Sequence, residues 1–187
     1  GGGSLRFTGG TLRYGSGTTA NYSSSVTNSS GTIAIDTNGN NISLAGIDSG
    51  NSGGLWKMGS GNLTISGAAG YFGTTSIDQG SLIFSSTLTG TASSALRLGS
   101  STLVTTAGTL DLSLASGTFA SMTVQTSTTE YNRVLIGAGQ NLTINGGVTI
   151  GNSGSSAATT NLAVLGAGSF IMTSSSSSFQ AGIGPSG

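Results

Sequence analysis

The stretch Asn62-Leu63-Thr64-Ile65 decides the fold, because blocks of its form return down the chain at a nearly constant interval. Quartets with the same apolar spacing begin at residues 41, 62, 81, 102, 121, 141 and 161, with separations of 21, 19, 21, 19, 20 and 20. Short strand-like blocks at a period near twenty are the signature of a solenoid in which each repeat is one turn. Alternate residues of a strand face the same way. Stacked turns are therefore expected to place Ile42, Leu63, Leu82, Leu103, Met122, Leu142 and Leu162 in one column, beside a second of Leu44, Ile65, Phe84, Thr105, Val124, Ile144 and Val164. Each buried aliphatic side chain contributes on the order of 1.5–3 kcal/mol relative to exposure. One turn alone has nothing to bury its face against, so stability comes from its neighbours.

Composition points the same way. The 187 residues include 34 Gly, one Pro, five Lys and Arg, five Asp and Glu, and neither Cys nor His. Regular apolar spacing at zero net charge argues against disorder, which goes with high charge and no period. The expected class is all-β, a single-stranded parallel β-helix (β-solenoid) with about 20 residues per turn, forming one elongated domain over 1–187. Its least regular part is about 1–31. Without Cys or His there is no disulfide framework and no zinc site. No apolar run is long enough to span a bilayer as a helix, and the start has no basic-then-apolar leader pattern. The opening Gly1-Gly2-Gly3 already sits in repeat-like sequence, as expected of a mature or excised segment.

A second side of the solenoid is expected from Ile33 and Ile35, followed by Leu55, Ile77, Leu96 and Leu98, Leu110 and Leu112, Val134 and Ile136, Val148 and Ile150, and Phe170. Between the blocks come Asn38-Gly39, Gly53-Gly54, Gly59-Ser60-Gly61 and Gly146-Gly147, which suit turns needing positive φ.

Residues 53–84 carry a resemblance. Gly53-Gly54-Leu55-Trp56-Lys57-Met58-Gly59-Ser60-Gly61-Asn62-Leu63-Thr64-Ile65-Ser66-Gly67, then Tyr71, Gly73-Thr74-Thr75, Ile77, Gly80 and Leu82, resembles the autotransporter-associated β-strand repeat. Residues 33–41 look like the segment that precedes it, and Gly139-Gln140-Asn141-Leu142-Thr143-Ile144-Asn145-Gly146 echoes its centre. The resemblance implies a right-handed parallel β-helix from a passenger segment of a bacterial secreted or cell-surface protein, hence an extracellular location. No translocator barrel follows within the 187 residues, so export by autotransport is not expected.

Catalytic chemistry has few candidates. Asp111 and Glu130 each lie nine residues after the start of a quartet. If that register holds, they stack one turn apart at roughly 5 Å, the separation used by a retaining glycosidase. Two solvated surface acids are the stronger reading, and no catalytic, cofactor or metal site is expected. Asp36-Thr37-Asn38-Gly39-Asn40 has alternate oxygen ligands like the start of a calcium loop, but the glycine is misplaced and the closing Glu is missing. An Asn-Gly turn between two strands is favoured. Trp56 and Tyr71 are candidates for contact with surface glycans; aromatics at turn ends also cap cores. With no phosphate loop, basic patch or amphipathic helix, neither nucleic acid nor membrane insertion is expected.

Charge is missing at the ends. Arg6 and Arg13 are the only charges before Asp36, and none follows Arg133. Solenoid ends expose strand edges that monomeric proteins blunt with charge, proline or a cap. The expected function is therefore structural: an extracellular filament subunit that stacks on itself head to tail. Its end faces are expected at Leu5, Phe7, Leu12 and Tyr14 on one side and Phe170, Ile171, Met172 and Phe179 on the other. About nine turns at the ~4.8 Å strand spacing give about 43 Å per subunit. The alternatives are a glycan-binding stalk or adhesin fragment of a larger surface protein, and a polysaccharide-active enzyme.

Overall fold

A computed structural model describes residues 4–22, 26–88, 91–103, 105–125, 127, 130–151, 162–173 and 179–181. The strands in chain order are β1 (Leu12–Arg13), β2 (Ile33–Asp36), β3 (Ile42–Leu44), β4 (Leu55–Met58), β5 (Asn62–Ile65), β6 (Thr75–Ile77), β7 (Gly80–Phe84), β8 (Ala95–Leu98), β9 (Gly108–Leu112), β10 (Gly117–Phe119), β11 (Ser121–Val124), β12 (Asn132–Ile136), β13 (Asn141–Ile144), β14 (Val148–Ile150), β15 (Leu162–Leu165), β16 (Ser169–Met172) and β17 (Phe179–Ala181). They form three sheets, each in the order in which the chain winds upward. Sheet A is β1-β2-β4-β6-β8-β11-β14-β17, sheet B is β3-β5-β7-β9-β12-β15, and sheet C is β10-β13-β16. All the strand pairings are parallel. The chain is a parallel β-solenoid.

Sheet A stacks eight strands, one per turn, at a mean spacing of about 24 residues, longer than the twenty expected. Turn length drifts along the axis. Leu55 pairs with Thr75 and Leu63 with Leu82, steps of 20 and 19, whereas Met122 pairs with Val148 and Val148 with Phe179, steps of 26 and 31. The first added length lies in the connection from sheet A to sheet B, which grows from two residues between Ile77 and Gly80 to nine between Leu98 and Gly108. Sheet C occupies a third side that an earlier turn marks only by the bridge from Ile47 to Ala69.

The longer connections move the later quartets out of the expected columns. Sheet B stacks Ile42, Leu63 and Leu82 as predicted, then continues through Leu110, Val134 and Val164. Leu103 is not in the column: it lies in the loop before β9 and is 54% exposed. Met122 stands in sheet A between Leu96 and Val148, and Leu142 stands in sheet C between Gly117 and Phe170. The second side is as expected through Leu98, after which Leu110 and Val134 belong to sheet B. The quartets keep their period because every side of the solenoid uses the same inward-outward alternation, which says where a strand is but not to which sheet it belongs.

Inward positions from all three sheets merge into one apolar core that runs from Phe7 to Val148. Corners are made where the backbone allows close approach. Asn38 and Gly39 have φ of 49° and 81°, and the Asn40 N–H donates to the Thr37 carbonyl at 2.9 Å, so Asn-Gly makes the expected tight turn from β2 to β3. At Gly53 a Cβ would strike the Gly31 carbonyl of the turn below, so a side chain there would force the turns apart.

The revised columns separate two leucines in one experiment. Leu110→Ala is expected to cost about 2–5 kcal/mol, as for a buried leucine, while Leu103→Ala stays within roughly 0.5 kcal/mol; urea denaturation midpoints of the two variants check this.

Candidate functional site

Among the described residues, a groove lies on the outer face of sheet A, centred on Trp56. Outward positions on this sheet stack as Ala34, Trp56, Ser76, Arg97, Thr123 and Thr149. Trp56 is the one bulky apolar side chain in that row and is 37% exposed. Two hollows flank it, of about 560 and 370 Å³, and share Trp56, Asp78 and Thr102 in their walls.

Charged and polar groups line these hollows in matched positions. In the larger, Arg13 Nε lies 3.3 Å from Asp36 Oδ2 and the same guanidinium donates to Asn38 Oδ1 at 2.8 Å. The Asp36 carboxylate in turn accepts the Asn38 N–H at 2.8 Å, which ties the Asn-Gly turn to the groove wall. In the smaller, Asp78 faces Arg97 and Ser100. Burial pushes the Asp78 carboxyl pKa up, while hydrogen bonds from the Trp56 side chain and the Ser100 hydroxyl, with the Arg97 charge, pull it part of the way back. Asp78 and Trp56 stand together in the walls of both hollows.

Directly behind Trp56 the next side chain in β4 turns inward. Lys57 shares its core column with Ile35 below and Ile77 above and is fully buried. Its Nζ donates to the carbonyls of Met58 at 3.0 Å, Gly59 at 2.6 Å and Gln79 at 2.9 Å. One ammonium thus uses all three of its donors and joins two successive turns at the corner beneath the groove. Burial pulls its pKa down to about 8, opposed by the nearby Asp36 charge. In the sequence, Lys57 stands out only as part of the repeat-like stretch 53–67, yet a signal for its burial was present. The signal was the alternation itself: Leu55 and Lys57 share a face, opposite Trp56.

The other predicted residues fall as follows. Tyr71 is fully buried, its hydroxyl sharing a 2.6 Å hydrogen bond with Thr75, so it is a core residue with no surface for a glycan. Asp111 and Glu130 do not stack. Asp111 pairs with Leu135 and Ile83 and its carboxylate accepts the Ser113 N–H at 2.8 Å, while Glu130 is an exposed residue ahead of β12. The lengthened turn carries Glu130 past the register that would have aligned them. At the N-terminal end, Phe7 and Tyr14 are buried in the chain's own core, with Leu5 and Leu12 half-buried against it. At the other end, Phe170 and Met172 are half-buried, Ile171 is exposed, and Phe179 pairs through its backbone with Val148.

No family model matches the chain, and neither a curated protein nor a solved structure is significantly similar to it.

Lys57 sets a measurable pH dependence. Its folded pKa is about 8 against 10.5 for the free side chain. Between these values the unfolded chain holds a proton that the folded chain has released, so stability rises with pH, by at most about 1.4 kcal/mol per unit. Below pH 8 this contribution is absent. Thermal unfolding between pH 8 and 10 is expected to show this rise in the natural chain and to lose it in Lys57→Met. That variant is also expected to be less stable at pH 7 by about 1–3 kcal/mol, since buried carbonyls lose their donor.

Proposed function

We propose that this chain is a rigid β-solenoid stalk from a bacterial secreted or cell-surface protein, of the autotransporter-associated repeat type, and that it binds glycans through the Trp56 groove. The observation that carries the reading is Trp56 itself. Its indole is 37% exposed in the outward row of a parallel sheet, between two hollows lined by Arg13, Asp36, Asp78 and Arg97. Aromatic rings with an apolar face and a polar handle are suited to contact with partners that are part apolar and part hydroxylated. Solenoid stacking supplies the rigidity, because each turn is fixed by hydrogen bonds to both neighbours. Trp56→Ala is expected to abolish binding on a glycan array while leaving the thermal unfolding midpoint nearly unchanged. Equal binding by the variant would remove the groove from the function.

A second reading, a filament subunit stacked head to tail, is favoured by one observation. Val164, in the core column of sheet B, is 47% exposed on the last described turn, and Leu165 beside it 48%. Side chains of that column are buried wherever a further turn covers them. In this reading another solenoid turn covers them, and self-stacking supplies it. Negative-stain electron microscopy of the isolated chain at neutral pH is expected to show filaments with an axial repeat on the order of 40 Å, for the eight stacked strands of sheet A at the strand spacing. Short separate rods at high concentration would rule self-stacking out.

A further inference from the structure

The groove also carries information about which glycans it fits, and this inference rests on the binding reading above. Its walls come from successive turns: Arg13 and Asp36 from β1 and β2, Trp56 from β4, Asp78 after β6, and Arg97 from β8. The groove therefore runs along the solenoid axis, with a step of about 4.8 Å per turn. A sugar ring in an extended chain advances by about the same distance, so a saccharide laid along the axis meets equivalent wall positions ring after ring.

Charge selects further. Each carboxylate in the groove faces a guanidinium: Asp36 is paired with Arg13 at 3.3 Å, and Asp78 lies within the field of Arg97. The nearest other cation, Lys57, spends its donors on three carbonyls inside the core. The walls thus balance two acids against two bases, and a polymer charged with either sign would meet a like charge at every pair. A vicinal diol suits such a pair, since one hydroxyl donates to the carboxylate while the next accepts from the guanidinium. The groove is also set before any ligand arrives. Asn38 holds Arg13 through its side chain and Asp36 through its N–H.

We infer that the groove binds an unbranched, uncharged polysaccharide lying along the solenoid axis, with about one sugar per turn, one ring face on Trp56 and ring hydroxyls on the Arg13–Asp36 and Asp78–Arg97 groups. Trp56 is the sole tryptophan of the chain, so its emission reports the site directly. The test titrates the full chain with β-1,4-linked glucose, xylose and mannose oligomers from two to six rings, and with galacturonic acid oligomers of the same lengths. At least one uncharged series is expected to shift the emission, with half-saturation falling roughly tenfold between two and four rings and unaffected by salt. Affinity is expected to fall roughly tenfold in Arg97→Ala and to be unchanged in Arg133→Ala, whose side chain lies on sheet B away from the groove. Tighter, salt-sensitive binding of the uronate series would overturn the uncharged class while leaving the groove as a glycan site. No response from any series would overturn both. Binding that does not strengthen with length would overturn the axial arrangement alone.

Discussion

Hydrogen bonding between parallel strands of successive turns governs this molecule. Each turn must lie one strand spacing above the last along every side at once, so an inward side chain always meets the residue at the same register above and below. Columns such as Ile42, Leu63, Leu82 and Leu110 follow from that requirement, as does the need for glycine where carbonyls of adjacent turns approach, as at Gly53 over Gly31. A solenoid tolerates turns of different length on this condition. Extra residues can leave as a loop, as they do between Leu98 and Gly108, provided the register on the existing sides survives.

The interior is not wholly apolar, and its polar members do the work of capping the corners. The Phe7 N–H donates to Ser29 Oγ, the Ser29 N–H to Asn51 Oδ1, and the Asn51 amide to the Asp48 carbonyl, which runs a buried polar chain through three turns. Asn132 accepts from the Gly108 N–H and donates to the Gln125 carbonyl at the opposite part of the stack. Lys57 is the charged version of the same device. Corner backbone groups that leave a ladder must find partners, and a side chain from the adjacent turn supplies them while adding to the turn-to-turn attachment.

The groove depends on that interior. Lys57 and Trp56 are neighbours in one strand, so the side chain that clamps the corner and the ring that faces solvent are fixed by a single register. Asp36 links the two sides again: it pairs with Arg13 at the rim, and its charge acts on the buried amine beneath. Rigid support of this kind lets a shallow surface hold a fixed arrangement of aromatic, acidic and basic groups without a deep pocket.

Sequence alone determined the class of fold and the first half of its register. The period near twenty, the alternation within quartets and the Asn-Gly corner are local properties, and local backbone geometry is enough to read them. It also singled out Trp56 and Tyr71 as aromatics at turn ends, without deciding which of them faces outward. Only the tertiary structure decided which sheet each later quartet joins, because alternation is the same on every side and the length of a turn is set by stacking. The same lack of long-range register made Asp111 and Glu130 look like neighbours and left Tyr71 looking like a surface residue. Lys57 was hidden for a different reason: a charged residue is placed outside by default, and only the convergence of three carbonyls from two turns makes the inside the better place for it.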